Sequence, residues 1–298
     1  MGKFINPFSD YGFKAIFGRE VSKDLIISFL NGVLQNEVIV DITFRNVELL
    51  GLTHDHRRAI FDIFCENEKG EFFIVEMQKS PQKYFSDRVL YYASFTIQQQ
   101  TLLMKDRQEM GPEESRKRWC YNLSRVYVVC ILNYVMEPAY PAKYRWDIVR
   151  MDRELKIPFS ETLNEIYLEM PKFVLSLSEC DTIYKKWLYV LNNIDIMERL
   201  PDELNNQIFQ KLKRLVEIER MPYEERLAYE VSLKAERDLD ACMATQYEYG
   251  VEAGEAKGKE IGLAEGLRKA ARNMKEKGMD IAAIMDCTGL DAETVAAL

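Results

Sequence analysis

The spacing of apolar residues along the first 135 positions changes from a helical period to short strand-like runs and back. Between residues 13 and 35, apolar side chains recur every three or four positions, which predicts an amphipathic helix. Gly18 is expected to divide it into two pieces. Three β-rich runs follow at 47–52, 59–65 and 71–79. The turn residues of NEKG between the last two runs predict a hairpin.

The second part of this pattern alternates a helix with a strand. Residues 83–105 contain no Gly or Pro and are typical of a helix. Residues 124–135 are almost all apolar and rich in β-branched side chains, which predicts a central strand buried on both faces. The element order is therefore helix, three strands, helix, strand. It predicts an α/β core with a mixed sheet flanked by helices.

The second half of the chain is predicted to be mostly helical. Residues 166–177 alternate polar and apolar side chains and favour one more strand, and residues 181–237 have a helical pattern broken at Pro201 and Pro222. We expect a core domain at 1–170, a helical region at 171–245 and a charged tail at 246–298.

Glycines recur every four residues in the tail, at 250, 254, 258, 262 and 266, among Glu, Lys and Ala. This spacing places them near one face of a helix, although each Gly costs about 1 kcal/mol there. Two interpretations stay open: a solvated, partly frayed helix or linker, and a close helix–helix contact in a homodimer formed through the C-terminal helical region. Beyond it, two short helices are expected around Thr288-Gly289-Leu290, with Asp291 as an N-cap. They resemble a helix-turn-helix, which favours DNA binding only weakly.

Composition limits the function classes. The net charge is −8, with 47% hydrophobic and 30% charged residues, which is typical of an ordinary globular protein. The acidic excess lies in the second half, so it counts against non-specific DNA binding mainly there. No apolar run reaches the ~18 residues of a membrane span, and the first residues lack a signal-peptide core. The six cysteines form no CxxC pair. We therefore expect a cytoplasmic protein with reduced thiols and no membrane partner.

Two acidic residues interrupt the apolar hairpin strands: Asp62 in AIFDIFC and Glu76 in FFIVEMQ. A carboxylate in a buried strand is costly unless it is paired or binds a metal. Adjacent strands can bring the two together, and converging carboxylates bind a hard cation such as Mg²⁺. Period-two alternation places Gln78 on the same strand face as Glu76, and the Met77 backbone carbonyl is a possible third ligand. The alternative is a pair of satisfied or partly exposed carboxylates at the sheet edge.

The spacing Asp62, thirteen residues, Glu76-Met77-Gln78 resembles the PD-(D/E)XK nuclease signature, and the element order resembles the restriction-endonuclease-like core of that superfamily. The opening NPFSDYGFKAIFG is similar to that of the bacterial recombination-promoting nuclease and putative transposase family, with Asp10, Phe13, Lys14 and Phe17 at its motif positions. The hairpin, the segment RVLYYASF at 88–95 and the Gly-rich charged tail also resemble this family.

The resemblance implies a Mg²⁺-dependent DNA endonuclease, with Mn²⁺ as a substitute, linked to recombination or mobile elements. Asp62 and Glu76 would be the metal ligands, and Gln78 would replace the lysine of the signature. Glutamine can only hydrogen-bond, so high turnover is in doubt. Gln occurs at this position in the resembling family, so its presence alone does not imply inactivity.

Two further residues are candidates for supporting roles. Asp10 is either a helix cap before Phe13 or a member of the site. Arg88 and Tyr92 share one helix face, where Arg88 either contacts a phosphate or packs its stem and forms a surface salt bridge.

Other polar groups allow two interpretations each. His54 and His56 are either metal ligands lacking a third partner or a polar loop. The basic clusters Arg57-Arg58 and Arg116-Lys117-Arg118 contact a phosphate backbone or are solvated. Neither a Ser/His/Asp arrangement nor a nucleotide-binding glycine motif occurs.

Three functions follow from these patterns. The favoured function is an endonuclease. The second is a catalytically weak or inactive protein of the same fold that binds DNA or a protein partner. The third is an interaction protein built on its helical half.

Overall fold

A computed structural model of the protein describes residues 2–35, 38–49, 59–106 and 123–298. Its strands are β1 (Ile42–Phe44), β2 (Glu48–Leu49), β3 (Ala59–Ile60), β4 (Ile63–Asn67), β5 (Phe72–Gln78), β6 (Val126–Leu132), β7 (Arg145–Met151) and β8 (Pro158–Glu169). Its α-helices are α1 (Asp10–Phe17), α2 (Lys23–Leu34), α3 (Phe85–Asp106), α4 (Ile183–Asn193), α5 (Gln207–Val216), α6 (Tyr223–Glu276), α7 (Ile281–Thr288) and α8 (Ala292–Ala297).

Among these residues, six strands form one mixed sheet in the order β1-β4-β5-β6-β8-β7. The β4–β5 pair is the predicted antiparallel hairpin, and β5, β6 and β8 run parallel to one another. The hairpin turn requires Gly70, whose φ of 79° lies in the left-handed region that glycine adopts without strain. The predicted α/β fold with a mixed sheet and flanking helices is confirmed.

Two hydrophobic cores cover the two faces of this sheet. On β5, Phe72 and Ile74 belong to the core beneath α3, while Phe73 and Val75 belong to the core beneath α1, α2, α4 and α5. Every residue of β6 is buried, which confirms the predicted central strand. This alternation decides which face each polar residue of β5 occupies.

The helices after the sheet complete the larger core. Trp187 of α4 is fully buried against Phe17, Phe29 and Phe209, and its indole N–H donates to Ser28 Oγ at 3.0 Å. The first compact unit accordingly extends from residue 1 to residue 233. The helices assigned above to the separate region 171–245 thus share the core of the sheet up to residue 233. Independent folding of residues 1–170 stays a prediction.

Three details of the sheet differ from the sequence pattern. The run at 59–65 is two strands, because the chain leaves strand β3 at Phe61 and bends at Asp62. The sequence pattern predicted Asp62 in the middle of a strand. This prediction is wrong, because Asp62 lies at the break between β3 and β4. Strand β8 begins at Pro158, well before the predicted position 166. Strand β7 was not predicted, because its exposed residues at the sheet edge mix charged and apolar side chains without regular alternation.

The second compact unit spans residues 234–298. The five periodic glycines lie within α6, and a Cβ added at any of them would meet no atom of the described residues within 4 Å. This arrangement agrees with a solvated helix, although the helix is continuous and not frayed, and a homodimer contact stays a prediction. Asp291 caps α8 as predicted, by accepting a hydrogen bond from Thr294 N at 2.7 Å.

Helices α7 and α8 pack on the end of α6 through Ala271, Ile284 and Val295. In the described part of the chain, no helix is both long enough and apolar enough to cross a membrane.

Trp187→Ala is expected to lower the free energy of unfolding by about 3–5 kcal/mol, the usual range for truncating a buried aromatic side chain. Urea unfolding would measure this change. Tyr223→Ala is a suitable control, because Tyr223 is 79% exposed and surface changes usually stay within about 0.5 kcal/mol. Equal, small losses in both variants would show that α4 does not share a core with α1 and α2.

Candidate metal centre

The hairpin register places Asp62 beside Glu76. The β4–β5 ladder runs from Glu66 opposite Phe72 to Ile63 opposite Val75. Asp62 and Glu76 occupy the next position on each strand, where the ladder has ended. Their side chains take over the hydrogen bonds that backbone groups would otherwise make.

Each carboxylate accepts a backbone N–H from the other strand. The N–H of Asp62 donates to Glu76 Oε1 at 3.2 Å, and the N–H of Met77 donates to Asp62 Oδ2 at 2.8 Å. This reciprocal pair of bonds fixes both carboxyl groups at the break between β3 and β4. The convergence of Asp62 and Glu76 is thus present, and it comes from side chain–backbone bonds at the end of the ladder.

Both carboxyl groups are strongly desolvated. Glu76 is 4% exposed, and burial followed by the negative charge of Asp62 raises its pKa from 4.5 to about 8. Burial also raises the pKa of Asp62, against the N–H of Met77 and the charge of Lys14, which lower it. Two buried groups of like charge disfavour ionisation, so a bound cation would be strongly stabilising here.

Gln78 lies on the α3 face of the sheet together with Glu76, as the alternation predicted. Gln78 is buried, and its backbone carbonyl accepts a hydrogen bond from Asn133 N at 2.8 Å. Cys130 of β6 lies opposite Glu76 in the parallel register. Burial and the neighbouring Glu76 raise the pKa of its thiol well above its ordinary value. The thiol is consequently a packing group.

Helix α3 contributes Arg88 and Tyr92 to the surroundings of the carboxylates. The positive charge of Arg88 lowers the pKa of both Asp62 and Glu76. Burial and the charge of Glu76 raise the pKa of the Tyr92 phenol. The Arg88 guanidinium donates to Gln82 Oε1 and lies 5.9 Å from the centre of the Tyr92 ring. Arg88 thus faces the site, although the phosphate contact predicted for it stays a prediction.

Helix α1 contributes Asp10 and Lys14, which form an ion pair of 2.6 Å. Both charges act on Asp62: Lys14 lowers its pKa and Asp10 raises it. Asp10 is not the helix cap, because Ser9 holds that position and accepts from Gly12 N at 3.0 Å. Asp10 is instead the first residue of α1, and its catalytic role stays a prediction.

The donor set suits a hard cation with few protein ligands. Within residues 2–35, 38–49, 59–106 and 123–298, no three His, Cys, Asp or Glu side chains form a group that could hold a metal ion. Mg²⁺ is commonly bound through one or two carboxylates, with water and substrate phosphate as the other ligands. Asp62 and Glu76 meet this requirement. The role of the Met77 carbonyl is untested, although the Met77 N–H places that residue directly at the pair.

Other sequence candidates lie outside the described residues. These are His54, His56, Arg57-Arg58 and Arg116-Lys117-Arg118.

The sequence pattern did not assign a role to Lys14 or Tyr92 at the carboxylate pair. Both residues stand in motifs that resemble those of the nuclease family, but their distance from Asp62 along the chain hides their proximity. Lys14 is on the exposed side of an amphipathic helix, where a lysine is ordinary. Only the packing of α1 and α3 near the same hairpin end reveals their effect.

We expect the Glu76 carboxyl group to make the metal-free protein less stable as pH rises. Its folded-state pKa of about 8 exceeds the ordinary 4.5, so the folded state holds the proton more tightly. This stabilisation is complete below about pH 4.5 and is lost as the pH rises towards 8. Its size is about 1.4 kcal/mol for each pKa unit between the folded and the unfolded state.

Glu76→Gln should remove this part of the pH dependence. Unfolding in urea with EDTA, at several pH values between 5 and 8, would measure it against wild type and against Glu154→Gln, a change at an exposed position. Parallel stability curves for wild type and Glu76→Gln would contradict the expectation.

Comparison with protein-family models identifies a family. Residues 7–246 match the PD-(D/E)XK nuclease family transposase model. The match includes the Asp10–Phe17 motif, the hairpin with Asp62, Glu76 and Gln78, and helix α3. Neither the search of curated proteins nor the search of solved structures found a match. The family match covers most of the chain and agrees with the mixed sheet and the paired carboxylates, and the protein therefore belongs to the PD-(D/E)XK nuclease family of transposases.

Proposed function

We propose that the protein is a Mg²⁺-dependent DNA endonuclease that hydrolyses phosphodiester bonds, with Mn²⁺ as a possible substitute ion. The observation that carries this proposal is the reciprocal hydrogen bonding of Asp62 and Glu76, which holds two buried carboxyl groups together at the end of a hairpin. A purely structural role would not require two acidic side chains at this position, since burying a carboxylate without a partner costs free energy.

Asp62 and Glu76 would hold the cation, with the Met77 carbonyl as a candidate third ligand. When bound, Mg²⁺ lowers the pKa of water and stabilises negative charge on a phosphate. The protein's own contribution is to fix the two carboxylates through backbone N–H groups, so that little rearrangement is needed for them to act as ligands.

Positive charge near the carboxylates comes from two helices. Lys14 of α1 and Arg88 of α3 both lower the pKa of Asp62 and of Glu76, so both contribute positive potential to the site. In the signature that Gln78 departs from, a lysine on the strand supplies such a charge. We propose that Lys14 and Arg88 supply it here, and that the Gln78 amide orients water by hydrogen bonding.

The family description includes the word transposase. From this word we infer only a link with recombination or mobile DNA. The carboxylate pair supports hydrolysis and gives no separate support for strand transfer. Gln78 also supports a second candidate function: a protein of this fold that binds DNA or a protein partner and cuts weakly or not at all. The nicking experiment below distinguishes the two functions.

Asp62→Asn is expected to reduce Mg²⁺-dependent nicking of supercoiled plasmid by at least about 100-fold, since losing even a partner of a metal ligand typically costs about 10–100-fold. Asparagine retains an oxygen that can accept the Met77 N–H, so the fold should be preserved. Circular dichroism and the unfolding midpoint would verify this.

The matched control is Asp181→Asn, in which the altered side chain is 70% exposed. Nicking should be unchanged in this control. If Asp62→Asn cuts as fast as wild type, the carboxylate pair is not the catalytic centre. If wild type itself fails to nick DNA with Mg²⁺ or Mn²⁺, the binding function replaces the nuclease proposal.

Gln78→Ala is expected to lose cleavage but to retain metal binding, because both carboxylates remain. Gln78→Lys should be tolerated and can raise the rate, since a cation there would stabilise developing negative charge. Cleavage rates and Mg²⁺ affinity need to be measured on the same preparations. Unchanged cleavage in Gln78→Ala would show that the third motif position takes no part in the reaction.

A further inference from the structure

A cavity of about 530 Å³ opens at the start of α3 and is lined by side chains between residues 82 and 92. Its volume lies within the range of about 300–1,000 Å³ that is usual for small-ligand sites. Arg88 and Tyr92 line the cavity, and the centre of the Tyr92 ring lies 5.2 Å from that of Phe61, the residue before Asp62. The cavity therefore adjoins the carboxylate pair, and the family assignment gives it no function.

The cavity wall combines aromatic rings with cations. Tyr84 is 65% exposed, and the ammonium of Lys83 lies 4.9 Å from the centre of its ring. Tyr91 is 43% exposed, with its ring centre 6.3 Å from that of Tyr92. Exposed tyrosines beside lysine and arginine form a surface that suits a flat aromatic group joined to a phosphate.

The backbone at Tyr84 supports a functional role for this surface. Its φ of 63° is in the left-handed region, which costs a bulky L-residue about 1–2 kcal/mol. Because the Tyr84 side chain is mostly exposed, its burial offsets little of this conformational cost. Strained residues of this kind concentrate at binding and catalytic sites.

We propose that this cavity binds an unpaired nucleotide of the DNA substrate next to the scissile phosphate. In a duplex the base faces are covered by their neighbours, whereas an unpaired base can stack on an aromatic side chain. Lys83 and Arg88 provide charge for its phosphate, and the carboxylate of Asp87, which also lines the cavity, can accept a hydrogen bond from a base amino group.

The preferred substrate is therefore DNA with unpaired nucleotides, such as a single strand or a fork. The assignment of this substrate class rests on the nuclease function proposed above. The binding surface itself is independent of cleavage.

The test is binding in EDTA, where no metal-dependent cleavage occurs. Fluorescence anisotropy would compare a labelled single strand of about 15 nucleotides, near the upper end of the lengths that single-strand-binding folds cover, with the blunt duplex of that strand and its full complement. Wild type should bind the single strand more tightly. Tyr84→Ala should weaken that binding about tenfold, as expected for the loss of one stacked base, and should change duplex binding less than about twofold.

Two matched variants test whether the aromatic ring of Tyr84 is responsible for single-strand binding. Tyr84→Phe keeps the ring and should bind like wild type. Phe159→Ala removes another exposed aromatic side chain, 77% exposed on β8, and should leave binding unchanged. Equal weakening for both DNA forms, loss of binding in Tyr84→Phe, or no preference in wild type would each overturn the proposal.

The nicking assay tests the nuclease proposal separately, and the same binding assay on Asp62→Asn tests the cavity in a variant that is expected not to cut. Retained preference for the single strand in a variant that does not nick supports the cavity site. If wild type nicks plasmid but shows no preference for unpaired DNA, the cavity proposal is wrong and the nuclease proposal stands.

Discussion

The exchange of hydrogen bonds between Asp62 and Glu76 is the interaction on which the site depends. Two buried carboxyl groups would repel each other and lose hydration. The backbone N–H groups of Asp62 and Met77 offset part of this cost, and the charges of Lys14 and Arg88 offset a smaller part. The arrangement requires the backbone to leave the β4–β5 ladder at Asp62, because only then is the Asp62 N–H free to donate to a side chain.

The sheet provides this geometry through its register. The antiparallel hairpin brings Asp62 to Glu76, and the parallel pairing of β5 with β6 places Cys130 and Leu132 next to Glu76 and Gln78. The polar groups of β5 thus lie near its C-terminal end, on the face covered by α3. Residues Phe72 and Ile74, earlier on the same face, are core residues. One strand therefore serves as core at its beginning and as site at its end.

The sequence predicted the parts of this structure that depend on local pattern. The hairpin, the central strand β6, helix α3 and the shared face of Glu76 and Gln78 all follow from periodicity and turn residues. The bend at Asp62 was missed, because a bent and a straight strand have the same apolar composition in AIFDIFC. The cavity was also missed, since neither the left-handed conformation of Tyr84 nor its contact with Lys83 leaves a signal in the spacing of apolar residues.

The electrostatics of the site also depend on packing that is remote in sequence. Lys14 can act on Asp62 only while α1 is held in place, and α1 is held from two sides. Its inner side packs through Phe17 on Trp187 of α4. Its outer side is tied to the beginning of α6, where Glu225 accepts from Tyr11 and Arg19, each at 2.9 Å.

The family match likewise continues far beyond the sheet. It extends to residue 246, and the first compact unit extends to residue 233. The strand motif contains Gln78 and no cation at its third position, so the proposed function takes its positive charge from elsewhere in the fold. A helix that supplies such a charge must itself be positioned by a core, and here that core includes α4 and α5. The helical half up to residue 233 is consequently part of the same structural unit as the carboxylate pair, because it positions the helix that carries Lys14.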